Sequence, residues 1–375
     1  MANIVHFGKY YWPDTGGIES VTASLAKGAV KAGHDVSVVC FKKTDGHNKE
    51  IIDGVKITRA PIAKLLASQP LGFKYVLQCI SAAKKADLVH LHTPNMLGAL
   101  CALFVPANKH LLVHWHSDVL NKGLLGKILR PLEMKLLHRA NSIVTTSQVY
   151  ADASKTLTPF KSKISVVPIG VPDARRDSKE SDLPLELKTK IGNKKIILAV
   201  GRLVAYKGFE ILINAAQLLA NNSIVIIVGG GPLQNELHRA IQQRGVEDRV
   251  LLTGRLDDYA LHRLFKKASL YCLPSTYRAE AFGVVLLEAM AHGVPIVASN
   301  IPGSGVPWVN QHGQTGLNVP VGDPKELATA CNKILASEEL RNKLSVGARR
   351  RFLSEFTEDV SVNRMIAIYK KLIDT

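Results

Sequence analysis

Two doubly wound α/β domains, each a parallel sheet covered by helices on both faces, are predicted from three observations. Short apolar, β-branched runs alternate with helix-period stretches along almost the whole chain. The strands read as continuous apolar segments, the mark of strands buried on both faces. The 375 residues exceed what one core of roughly 150 residues needs.

Taken in order, the first half offers strands at 3–8, 35–41, 55–59, 88–92, 111–116, 142–147 and 164–169. Helices are expected between most of them, among them 19–32 and 74–85. The pattern then lapses into a charged stretch with Pro184, and the linker is placed at 173–193. Strands at 196–200, 224–228, 250–253, 270–274 and 295–299 repeat the design, each followed by a helix-like segment. The expected organisation is an N-terminal domain over 1–172 and a C-terminal domain over 194–355. A cleft is expected between them, because open α/β sheets take ligands at the carboxyl ends of their strands.

Composition excludes several classes. With 46% apolar and 21% charged residues, the chain has a globular mixture and not that of a disordered chain. Five scattered cysteines without a C-x-x-C pair do not form a disulfide framework or a zinc knuckle, and free thiols fit a reducing compartment. The longest dense apolar run, 96–107, falls short of the roughly 20 residues of a spanning helix, and no secretory signal opens the sequence. A soluble, cytoplasmic protein is expected. The net charge is +17, with 21 Lys+Arg against 10 Asp+Glu up to residue 172 and 27 against 21 beyond it. Such a field attracts phosphates, whether of nucleic acid, anionic lipid or small molecules. There is no Walker-type loop and no G-x-G-x-x-G after a strand, which weighs against a P-loop enzyme and a dinucleotide dehydrogenase.

Three groups of residues carry chemistry. Gly16 and Gly17 follow the first strand and open a helix, where a backbone can approach a phosphate and helix-start amides are free. Gly201-Arg202 and Lys207-Gly208 follow the first strand of the second half, placing a planar fork and a point charge where a diphosphate would lie. The segment from Glu280 to Glu288 is the most informative. An all-round apolar helix is buried, so Glu288 within it needs a partner or a ligand. At helical rise the two carboxylates would lie roughly 12 Å apart, with the amides around Gly283 and Val284 between them. A hexose, a diphosphate and a ribose fit that order. His116 ends a strand and precedes Ser117 and Asp118. The pairs His90/His92 and His114/His116 each share a strand face, but no cysteine or carboxylate completes a metal set, so no metal is expected. No Asp-x-Asp occurs either.

Together and in order, these motifs and the turn Gly229-Gly230-Gly231-Pro232 resemble the retaining GT-B glycosyltransferases of family 4, the group 1 type. GRLVAYKGFE and GKYYWPDTGGIES resemble bacterial rhamnosyl- or mannosyltransferases of O-antigen and exopolysaccharide synthesis. The resemblance covers nearly the whole chain. It implies that Glu288 holds the donor ribose and that Glu280 touches the transferred sugar, while Arg202 and Lys207 neutralise the diphosphate. Gly16, Gly17, Gly230, Phe282, Gly283 and Val284 would join the donor site, and Arg255 and Leu256 would carry the base through backbone contacts. His116 would lie by the anomeric centre, with His92, Ser117 and Asp118 on the acceptor side. Residues 356–375 would hold a helix returning to the N-terminal domain. The implied donor is a nucleotide-sugar, GDP-mannose favoured over UDP- or dTDP-sugars, with no other cofactor. The implied acceptor is a soluble or lipid-linked saccharide. The basic, leucine-rich segment 122–139 offers a face for an anionic membrane. Rival readings remain: a GT-B-like sugar epimerase or phosphorylase, or a nucleic-acid-binding protein prompted by charge alone.

Overall fold

The computed structural model describes residues 1–14, 16–43, 47–66, 69–118, 123–173 and 183–374, with residues 123–128 described by their backbone alone. The chain divides into two compact units: Met1–Gly170 with Glu358–Thr375, and Val171–Thr357.

The first unit contains β1 (Asn3–Phe7), α1 (Gly17–Lys31), β2 (Asp35–Lys42), β3 (Lys49–Ile52), β4 (Val55–Pro61), β5 (Lys64–Leu66) and β6 (Gln69–Leu71). It continues with α2 (Phe73–Lys85), β7 (Leu88–Thr93), α3 (Met96–Ala102), β8 (His110–Trp115), α4 (Gly123–Arg139), β9 (Ser142–Thr145), α5 (Gln148–Ala153) and β10 (Ile164–Val166). The main sheet runs in the order β10-β9-β8-β7-β1-β2-β4-β3, parallel except for the edge strand β3. β5 and β6 pair antiparallel by themselves. β3 and β5 are short and largely exposed, and β6 is only three residues long though mostly buried, so none offers the apolar run that marks a buried strand in sequence.

The second unit contains α6 (Leu185–Ile191), β11 (Lys195–Val200), α7 (Phe209–Ala215), β12 (Ser223–Val228), α8 (Gln234–Gln243), β13 (Val250–Gly254), α9 (Asp258–Lys267) and β14 (Ala268–Leu273). Then follow α10 (Val284–His292), β15 (Ile296–Ser299), α11 (Val306–Val309), β16 (Gly316–Val319), α12 (Pro324–Ala336) and α13 (Glu338–Arg351). Its six parallel strands lie in the order β13-β12-β11-β14-β15-β16. α6 lies inside the segment expected to be linker. Leu187 and Ile191, four residues apart, bury one side of its roughly two turns, a signal too short to read as a helix. The rest of that linker includes 174–182, outside the described residues.

The chain returns to the first unit as α14 (Glu358–Ile373), which packs on α1. Gly28 of α1 permits this: a Cβ there would sit 2.3 Å from a Val362 methyl. Ser361 Oγ donates to the Pro168 carbonyl, and Tyr369 is fully buried.

Candidate active site

The strand order of the second unit reverses between β11 and β14, so the loops after these two strands run apart at the sheet's carboxyl edge, the place where such sheets take ligands. Lys207 and Glu280 sit on those two loops. Lys207 Nζ donates to Glu280 Oε2, and both residues are buried, 8% and 7% exposed. Ser275 Oγ donates to the same oxygen at 3.0 Å. The sequence reading assigned the two charges to different parts of a ligand; here each is the other's counter-ion. Ser275 was not foreseen, since one serine in a loop carries no spacing signal.

Glycine sets these loops close together. Gly208 has φ +66, and a Cβ there would meet the Pro274 carbonyl oxygen at 2.1 Å. Gly229 has φ +145, and a Cβ would meet the Gly201 carbonyl oxygen at 1.9 Å. Arg202 is exposed, and its guanidinium makes no hydrogen bond or ion pair among the described residues. Arg255 is exposed beside Gly230, and Leu256 is half-buried.

α10 starts at Val284, after Gly283 at φ +78, with no side-chain cap on its first amides. Glu280 therefore belongs to the preceding turn, and the helical rise assumed between the two carboxylates applies only from Val284 to Glu288. Ser304 Oγ holds the Glu280 carbonyl, and Gly305 N donates to the Ala281 carbonyl at 2.7 Å, fixing that turn. Phe282 was expected among donor contacts. Its ring is buried and packs 6.1 Å from Trp308 and 6.0 Å from Phe356, so the side chain anchors the turn. Glu288 is half-buried, and its carboxylate makes no hydrogen bond or ion pair among the described residues. Burial first, and then Asp258, push it up to about 7.

In the first unit, Gly16 precedes α1, and a Cβ on it would meet a Glu19 carboxylate oxygen at 2.2 Å. Glu19 thus leans over the helix start that was expected to receive a phosphate or sugar, while Gly17 is open. Asp118, placed by sequence on the acceptor side, is consumed internally. Its Oδ1 accepts from Trp115 Nε1 at 2.8 Å and from Ser154 Oγ at 2.6 Å, and its amide donates to Tyr150 Oη at 2.7 Å. Ser117 is half-buried.

His92 and His116 belong to a larger cluster. His6, His90, His92, His114 and His116 project from one face of β1, β7 and the end of β8, all of them buried. His6 Nδ1 lies 3.0 Å from His92 Nε2, and His92 Nδ1 lies 3.1 Å from His116 Nε2. His90 Nε2 lies 3.3 Å from His114 Nδ1, and its Nδ1 lies 2.6 Å from Tyr369 Oη. Burial lowers all five, His6 and His116 to about 3. Two sets of three, His6–His90–His92 and His92–His114–His116, bring ring nitrogens within 4.8 Å of one another; the second is drawn from the two pairs seen in sequence, and the first needs His6 from the neighbouring strand β1. Of segment 122–139, Lys122 lies outside the described residues and the side chain of Lys127 is not described. Leu136 and Leu137 are buried against the unit, while Arg130 and Lys135 face out. Among the described residues, no helix is long and apolar enough to cross a membrane.

Solved structures share this architecture. Sucrose-phosphate synthase from Thermosynechococcus elongatus superposes with a TM-score of 0.81 at 22% identity, covering 100% of both chains. HepE of Anabaena, solved in complex with UDP, gives 0.79 at 21% identity over 99% of this chain and 100% of that one. The fold is that of the GT-B glycosyltransferases. The family description "Glycosyl transferases group 1" matches residues 186–351, and "Glycosyltransferase Family 4" matches residues 15–175. Among relatives, the O-antigen chain mannosyltransferase C of Escherichia coli is 30% identical over 375 residues, 99% of each chain. The D-rhamnosyltransferase WbpZ of Pseudomonas aeruginosa is 32% identical over 357 residues, 94% of this chain and 92% of that one. The chain belongs to the group 1, family 4 glycosyltransferases and is a glycosyltransferase.

Proposed function

We propose that the protein is a retaining hexosyltransferase that moves mannose from GDP-mannose to a glycan or lipid-linked saccharide in cell-surface polysaccharide synthesis. UDP- and dTDP-sugars are the competing donors. The names of the E. coli and P. aeruginosa relatives support the sugar class and the setting. The observation that carries the donor reading is Glu288, a half-buried carboxylate without a partner among the described residues, one turn inside a helix whose first amides carry no side-chain cap. Ribose hydroxyls satisfy the carboxylate, and the diphosphate takes the free amides.

In this reading Arg202 and Lys207 meet the charge that develops as the diphosphate leaves, Lys207 as a cation already held in place and Arg202 from an exposed side chain free to turn to the phosphates. Glu280 and Ser275 hold the ammonium of Lys207 in place, and Glu280 turns its other oxygen to the transferred sugar. Gly16, Gly17, Gly230, Gly283 and Val284 contribute backbone, and Arg255 and Leu256 lie at the base. His116, with His92 behind it and Ser117 beside it, serves the sugar and acceptor side. Asp118 orders that loop. The acceptor oxygen attacks C1 on the face the diphosphate leaves, the C1–O bond to phosphate breaks, and a phosphate oxygen takes the acceptor proton. Configuration at C1 is then kept.

The test is a donor-hydrolysis screen over GDP-, UDP- and dTDP-sugars, with and without EDTA. GDP-mannose is expected to be cleaved fastest, and EDTA to leave the rate unchanged. In parallel, Glu288→Ala is expected to weaken donor binding about tenfold or more by calorimetry, from the loss of one or two charge-assisted hydrogen bonds. Unaltered affinity in a folded variant removes Glu288 from the site.

A further inference from the structure

We propose that His6 and His92 are positioning residues that hold His116 with its ring proton on Nδ1, so that His116 meets the substrate as a hydrogen-bond donor. The inference rests on the reading of His116 as a sugar-side contact. The three rings form one row across the neighbouring strands β7 and β1 and the end of β8. Their centroids are 5.3 and 5.4 Å apart, and their planes are inclined by only 18° and 14°. Those separations are little more than the N···N distances of 3.0 and 3.1 Å plus two ring radii. The facing nitrogens thus lie on the line of ring centres, and each lone pair is aimed at the next ring's N–H. A metal ion needs lone pairs that converge on one point beside the rings. The row is built instead as consecutive N–H···N bonds.

Proton counting then assigns the tautomers. Burial keeps all three rings neutral near pH 7. A neutral imidazole carries one ring proton, so three rings hold three, and the two bonds use two of them. The third sits at an end of the row, on His6 Nε2 or on His116 Nδ1. His6 is fully buried and its Nε2 has no partner among the described residues, whereas His116 keeps 6% of its surface exposed at the end of β8. A buried N–H without an acceptor is rarer and costlier than a bare acceptor nitrogen. Every bond therefore runs outward: His6 Nδ1–H to His92 Nε2, and His92 Nδ1–H to His116 Nε2. The proton left over stands on His116 Nδ1. The adjacent row, Tyr369–His90–His114, has both ends buried and presents nothing to a ligand.

The test uses the full-length protein labelled with 15N-histidine, His116 being assigned by the signals lost in His116→Asn. Long-range 15N–1H correlations read which nitrogen carries the proton. A protonated Nδ1 with a bare Nε2 is expected; a protonated Nε2 overturns the proposal. His6→Asp places a carboxylate that accepts and cannot donate, and is expected to reverse the row. The His116 proton moves to Nε2, and kcat falls about tenfold with little change in KM. His6→Asn, which can donate through its amide, is expected to keep the Nδ1 tautomer and a rate near wild type. A reversed tautomer with unchanged kcat overturns the positioning role. If His6→Asp does not fold, the wild-type spectrum and His6→Asn still decide. A wild-type rate in His116→Asn removes His116 from the substrate and with it the donor role, while the spectrum separately tests the row. Stoichiometric Zn2+ in the purified protein, or histidine signals displaced by Zn2+ alone, makes the cluster a metal site and overturns the proposal.

Discussion

Lys207 and Glu280 show how a buried ion pair is maintained before any ligand arrives. Each would be a costly isolated charge in that buried loop pair; together, with Ser275, they are satisfied. Lys207→Ala is expected to cost about 3–5 kcal/mol in urea denaturation, because it strands a carboxylate. Lys207→Met with Glu280→Gln is expected to recover most of that stability and to stay inactive, which separates folding from turnover. Glu288 behaves in the opposite sense. It keeps its proton to about pH 7 in the folded chain, against 4.5 as its ordinary value. The stability of the neutral carboxyl is complete below about pH 4.5 and is lost as pH rises through 7. Glu288→Gln is therefore expected to gain on the order of 1–3 kcal/mol over wild type at pH 8 and nothing at pH 4, read by denaturant midpoints.

The strands of the first unit carry a liability that their sequences partly disclose. Five buried neutral histidines are lowered from 6.5, so an unfolded chain binds protons that the folded one refuses. Their stability is fully present above about pH 6.5 and is lost as pH falls towards 3. Well below pH 6.5 each such group costs about 1.4 kcal/mol per pH unit, so a domain with roughly 5–15 kcal/mol to lose is exhausted within a few units. In a Trp308→Phe variant the tryptophans left, Trp12 and Trp115, are expected to report unfolding between pH 4 and 5; an emission spectrum unmoved at pH 4 contradicts this. The pairs His90/His92 and His114/His116 were legible, because period-two spacing on a strand announces one face. His6 and Tyr369 were not, because strand order and the return of α14 bring them there, and neither is written in local spacing. In the same way the loops bearing Arg202, Lys207 and Glu280 were legible as strand ends, but the ion pair between two of them depends on β11 lying next to β14. The internal partners of Phe282 and Asp118 were not legible for a related reason: a residue type that suits a ligand also suits an aromatic cluster or a loop brace. Helix α4 adds a last expectation of this kind. Arg130 and Lys135 face out while Leu136 and Leu137 are buried. Changing both cations to glutamine is expected to reduce co-sedimentation with anionic vesicles about tenfold or more, at roughly 1 kcal/mol per cation.

Over the whole molecule, the charge of +17 gives phosphate-bearing ligands a common attraction that fades with salt. Thermal shifts with GDP, UDP and dTDP are expected to exceed any shift with duplex DNA, and to persist in moderate salt where a loose electrostatic association would vanish. The return of α14 has a practical consequence for anyone dissecting the protein. Since Val362 and Tyr369 come from the far end of the polypeptide yet complete the interior of the first unit, that unit is discontinuous, with the second inserted into it. A gene cut after codon 170 would encode a piece lacking one of its own walls, with a hydroxyl removed from the imidazole beside it. Expressing that half alone calls for splicing residues 358–375 back on through a short connector, whereas 171–357 can be excised as a single stretch.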